Sequence, residues 1–161
     1  MSETPQTTGT FGSSTIYRAE WRDGSDVERW LSRMATGRTL NFPCGSMMWG
    51  DVRADIDPQH HPDVRGDIRE PPFDHREFGT VYCDPPYSMC AYDTLWEWIL
   101  NVWDLVDQRF IVNMPNISAS LPNSEFRLFI ERRHFSPAMS LYHVYERPDT
   151  QLSEYGGATD D

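Results

Sequence analysis

With 161 residues, 39% apolar and 13% aromatic, the chain has the composition of one globular domain and not of a disordered segment. No run of about 18 apolar residues occurs, which excludes a membrane-spanning helix. All 14 basic residues are arginine, against 25 acids and a formal charge of −11; a lysine-free acidic surface is what a chain working in very high salt is expected to carry, because salt screens its self-repulsion.

The first residues, "MSETPQTTGTFGSS", lack the charged-then-apolar pattern of a secretory signal, and a cytoplasmic location is expected. Residues 1–14 read as a flexible polar tail and 149–161 as a flexible acidic one, leaving 15–148 as the folded domain. "DGSDVERWLSRMATGR" predicts a short helix, capped by Ser25 and ended by Gly37, with Val27, Trp30, Leu31 and Met34 on one face. "RTLNFP" and "DVRADIDP" then read as strands, with Pro58 stopping the second, and "PDVRGD" as a short third. "FGTVYCD" is a fourth strand. "YDTLWEWILNVWDLVD" predicts an amphipathic helix with Leu95, Ile99, Val102 and Leu105 in its apolar stripe, its tryptophans packing into the core. "RFIVNM" is a buried fifth strand, and "FRLFIERRHF" with "SLYHVYER" reads as a closing antiparallel hairpin turned at "SPAM". Strands interleaved with crossovers make an α/β fold with a mostly parallel sheet.

Cys44, Cys83 and Cys90 are odd in number and lack CxxC spacing, so neither a disulfide framework nor a metal site is expected. The informative residues stand just beyond the strands, because ligands of open parallel sheets bind beyond the carboxyl ends. There lie the glycine turn "NFPCGS", then Asp55, Asp67 and the Asp84-Pro85-Pro86-Tyr87 motif. A single such acid is commonly a helix cap. Three acids and a glycine turn on one rim describe a binding site.

From about Thr39 to Arg147 the order of these motifs resembles that of class I methyltransferases that use S-adenosylmethionine, in particular the amino-methyltransferases with an Asp-Pro-Pro-Tyr motif. The resemblance implies a Rossmann-like methyltransferase fold with reduced helices. It implies that Asn41, Phe42, Pro43, Cys44 and Gly45 approach the methionine part of the cofactor. Asp55, with Ile56, would receive the ribose, and Asp67, with Ile68, the adenine. It implies catalysis by Asp84, Pro85, Pro86 and Tyr87 on an exocyclic amine, foremost adenine N6 of DNA in a flipped-out or single-stranded base. RNA bases and protein side-chain amides are alternatives, as is a non-catalytic scaffold or regulatory subunit. The chain departs from the family pattern in lacking the usual Gly-x-Gly turn. Nine residues between Gly45 and Asp55 are also too few for a full crossover helix, so the first helix is expected to be vestigial or replaced by a bare loop. No segment is large enough for a target-recognition domain, which leaves room for a separate subunit for that task.

Overall fold

The computed structural model describes residues 6–11, 14–21, 24–115, 119–133 and 139–148. Nine strands form one sheet among them: β1 (Gln6–Phe11), β2 (Ser14–Trp21), β3 (Thr39–Asn41), β4 (Val52–Asp55), β5 (Val64–Arg65), β6 (Phe78–Cys83), β7 (Val106–Asn113), β8 (Glu125–Arg133) and β9 (Met139–Glu146). Their spatial order is β1-β2-β8-β9-β7-β6-β3-β4-β5. Strands β5, β4, β3, β6 and β7 are mutually parallel. Strand β9 runs antiparallel between β7 and β8, which makes the expected closing hairpin; its turn lies outside the described residues. The result is the expected α/β fold with a mostly parallel sheet.

The period-2 alternation of the central strands feeds two cores. Phe110 and Val112 of β7 and Val81 of β6 face one side, and Ile111 and Tyr82 face the other. Helix α1 (Gly24–Met34) covers the second side with the predicted stripe: Val27, Trp30 and Leu31 are buried against Phe129, Tyr142 and Val144. Gly37, at φ +67°, ends the segment, and its backbone sits so close to Gly79 of β6 that a methyl group there would lie 2.2 Å from the Thr36 carbonyl oxygen.

The other side is covered by the segment predicted as one helix over 92–107. Leu95, Ile99, Val102 and Leu105 are all buried, as the stripe requires. The helix itself is broken into α2 (Tyr92–Leu95) and α3 (Ile99–Trp103), and Val106 and Asp107 belong to β7. The break sits at Trp98, whose backbone leaves the helical region at φ −134°. Its indole is fully buried and donates to the Met89 carbonyl at 2.9 Å. Burying that ring outweighs helix continuity.

Two further differences concern the edges. Residues 6–11, read from sequence as part of a loose tail, form β1, which pairs with β2, and β2 extends the sheet in parallel beyond β8. The 149–161 tail lies outside the described residues. Between β3 and β4 the chain makes no helix, and residues 42–51 are a bare loop, one of the two forms expected of so short a crossover. Among the described residues no helix is long and apolar enough to cross a membrane.

Candidate active site

The parallel strands bring their carboxyl ends to one edge. From β3 the chain moves outward to β4 and β5, then returns to β6 on the other side of β3. This reversal of strand order opens a crevice between β3 and β6. A cleft of about 1030 Å³ lies there, at the upper end of the usual range for small-molecule sites. Its walls include Asn41 to Gly45, Asp55 with Ile56, Asp67 with Ile68, and Asp84 to Pro86. Of the residues singled out by sequence, Tyr87 is the exception. Its side chain is exposed and does not line the cleft. The turn after Pro86 carries it outward: Met89 N–H and Cys90 N–H close back on the Pro86 and Tyr87 carbonyls.

The loop after β3 is held from beneath. Asn41 is buried, and its amide donates to the Met47 and Trp49 carbonyls at 3.3 and 3.0 Å. Its side chain thereby braces the loop, and the residue also lines the cleft. Trp49 ties the same loop to α1 through Ser32. Gly45 takes a left-handed φ of +51°, and a methyl group built on it would meet nothing within 4 Å. Glycine there serves the backbone turn and keeps the space above it clear.

Arg53 and Asp55 alternate with the core residues Val52 and Ala54 and so share the face of β4 that a crossover helix would cover. Asp55 Oδ2 accepts the Gly45 N–H and Oδ1 the Asp57 N–H, each at 2.9 Å. The Cys44 thiol also reaches Oδ2, at 4.0 Å, so the acceptor position left open is on Oδ1, where it suits a ligand hydroxyl. Arg53, buried, donates to four backbone carbonyls: Met47 at 2.9, Gly45 at 3.0, His61 at 3.1 and His60 at 3.2 Å. Nothing in "DVRAD" marks this arginine as other than a solvent-facing strand residue.

Asp67 stands two residues beyond β5. The backbone N–H and Nε of Arg69 both donate to Oδ1, at 2.9 and 3.1 Å, and Nη2 donates to Oδ2 at 2.8 Å. The Arg69 fork holds the Asp67 carboxyl below its ordinary range, so it stays ionised with one acceptor position left on Oδ2. At the end of β6, Asp84 is exposed, and the Asn113 amide at the end of β7 donates to its Oδ1 at 3.4 Å. The two proline carbonyls differ. That of Pro86 accepts the Met89 N–H at 2.9 Å and the Cys90 thiol at 3.7 Å. That of Pro85 accepts no hydrogen bond among the described residues.

Sequence reasoning missed Glu28 of α1 and Glu97, which add carboxylates to the cleft walls. Neither stands at a strand end, and only tertiary packing brings them there. Cys44 lines the cleft, and burial pushes its thiol up, so it remains protonated and unsuited to nucleophilic work at neutral pH.

No family model matches the sequence, and no curated protein matches it. Solved structures do. The magnesium protoporphyrin IX methyltransferase of Synechocystis PCC 6803, crystallised with bound S-adenosylmethionine, superposes with a TM-score of 0.57 at 14% identity, over 76% of this chain and 77% of its own. The PH0226 protein of Pyrococcus horikoshii OT3 gives a TM-score of 0.52 at 14% identity, over 76% and 88%. At that identity the likeness speaks to architecture. The chain has a Rossmann-like methyltransferase fold.

Proposed function

We propose that this chain transfers a methyl group from S-adenosylmethionine to an exocyclic amine, adenine N6 of DNA being the leading substrate. The observation that carries the reading is the pair of acceptors at the end of β6: an exposed Asp84 carboxylate beside the one unengaged proline carbonyl, at the mouth of a cleft whose other walls suit the cofactor. The donor set fits that group. Asp55 offers an open acceptor on Oδ1 for a ribose hydroxyl and Asp67 one for the adenine amine. Gly45 leaves open space over the loop where the methionine part would lie. When bound, the cofactor supplies an electrophilic methyl on sulfonium.

The protein's task is placement. An exocyclic amine is a weak nucleophile because its lone pair is delocalised into the ring. Asp84 and the Pro85 carbonyl each accept one of its N–H bonds, which draws the nitrogen toward tetrahedral geometry and localises the lone pair. The consecutive prolines fix the direction of that carbonyl. Tyr87, outside the cleft wall, is placed for contact with a base entering from solvent. Such a base comes flipped out or single-stranded, since the small domain has little surface to grip a duplex, and a separate subunit would select the target.

Calorimetry with S-adenosylmethionine in molar KCl tests the cofactor. Absence of saturable binding would favour a non-catalytic scaffold, the reading that the missing first helix invites. Mass spectrometry of DNA and RNA from expressing cells tests the substrate through N6-methyladenine. Asp84→Ala should abolish the mark while leaving the fold intact, because the side chain is exposed. A mark on RNA alone, or on protein amides, would redirect the substrate and leave the chemistry in place.

A further inference from the structure

In open sheets of this kind the first crossover helix points its N-terminal N–H groups at an anionic part of the ligand. Here that helix is absent, and the cleft is lined by Glu28, Asp67, Asp84 and Glu97. Arg69 is committed to Asp67, and His60 lies 3.7 Å from the Asp57 carboxylate. A ligand bearing its own carboxylate needs a positive pole from somewhere else.

The loop provides one. The Gly45 carbonyl is drawn down to the Arg53 guanidinium at 3.0 Å. The Gly45–Ser46 peptide is trans, so its N–H points the opposite way from its carbonyl. That direction leads away from Arg53, and Ser46 is one of the residues that line the cleft. The Ser46 N–H donates to no group among the described residues. Asp55 meanwhile holds the Gly45 N–H, so the peptides on both sides of Gly45 are fixed by neighbours on one face of β4.

We propose that Arg53 is a positioning residue that aims the Ser46 N–H into the cleft, building without a helix the site for the carboxylate of the cofactor's amino-acid part. This deepens the methyl-transfer reading and rests on it. Arg53 touches no ligand. Its charge lies directly behind the loop, and its fork sets the orientation of the peptide that does the binding.

The test is calorimetry with two probes, S-adenosylmethionine and its decarboxylated analogue, on the full chain. The wild type should prefer the carboxylate-bearing ligand by about tenfold or more, the scale of one hydrogen bond to a charged group. Arg53→Gln should lose that preference while its affinity for the analogue changes by less than about threefold. Equal weakening of both ligands would reduce Arg53 to a loop brace and overturn the proposal. If Arg53→Gln does not fold, Arg53→Lys decides: an ammonium cannot reproduce the fork, so the preference should fall, and a fully retained preference would refute the role of the guanidinium. A wild type that binds both probes equally refutes this inference alone. A wild type that binds neither refutes the cofactor reading itself.

Discussion

His143 makes the stability of this fold sensitive to mild acid, by an amount the structure allows to be worked out. It lies buried on β9, its ring against Phe126 at 5.8 Å, and its Nε2 is 3.2 Å from the Met114 carbonyl. A carbonyl can only accept, so Nε2 carries the proton of the neutral imidazole. Burial pushes the imidazole down from 6.5 to about 4, with the Met114 bond opposing it weakly. The unfolded chain therefore takes up a proton near pH 6.5, and the folded chain resists until about pH 4. Stability is fully present above the upper value and is lost as pH falls through the window, by about 3 kcal/mol in total. About 2 kcal/mol of this is already gone at pH 5. Asp67, held low by Arg69, gives way only below its ordinary value of 3.8, under the same window. Urea unfolding followed by tryptophan fluorescence at pH 7.5, 6, 5 and 4.5 would read the loss directly. His143→Gln keeps a donor toward Met114 and should flatten the dependence, at some cost in packing. An unchanged wild-type midpoint between pH 7.5 and 5, or an equal slope in the Gln variant, would refute the argument. Met114 directly follows Asn113, whose amide contacts Asp84; substrate turnover should fall over the same pH window as the fold.

Gly79→Ala places a methyl against the Thr36 carbonyl and the Gly37 backbone; urea unfolding should show a loss of about 2 kcal/mol or more as α1 is levered off β6. Asp55→Asn leaves one amide oxygen where two backbone N–H groups now find acceptors. It should cost about 2–4 kcal/mol and weaken cofactor binding, both readable by cofactor titration alongside thermal melting. Tyr87→Ala, at an exposed ring, should raise KM for the methyl acceptor several-fold, about 1 kcal/mol of lost stacking, with melting unchanged; unaltered steady-state kinetics would remove Tyr87 from substrate contact.

The parts of the site that rest on strand polarity were legible in the sequence. Asp84 follows an apolar run, Asp55 closes its strand and Asp67 stands two residues beyond one, and the parallel order gathers the three around one crevice. What escaped was decided by tertiary contacts. The 92–107 stripe was read correctly as a buried face, but the helix bearing it yields at Trp98, because an indole finds both a core site and the Met89 carbonyl. The threonine-rich stretch around residues 6–11 reads as polar, although β-branched residues favour strands and pairing along a sheet edge is made by the backbone. Arg53 carries no signal at all, since its four partners are main-chain carbonyls, and any residue could supply those.

The loop over residues 42–51 has a consequence for how the molecule meets its ligand. Over β6 to β9 the sheet is packed by helices; over the Arg53 face of β4 the cladding is a strap of main chain knotted to the side chains of Asn41, Arg53 and Asp55. That corner can unfasten without dismantling the remainder, and an occupant touching Gly45, Asp55 and Asp67 together would cinch it shut. Amide exchange along this strap should therefore slow far more on saturation than exchange in β6 or β7, and ligand would complete the architecture there as much as fill it.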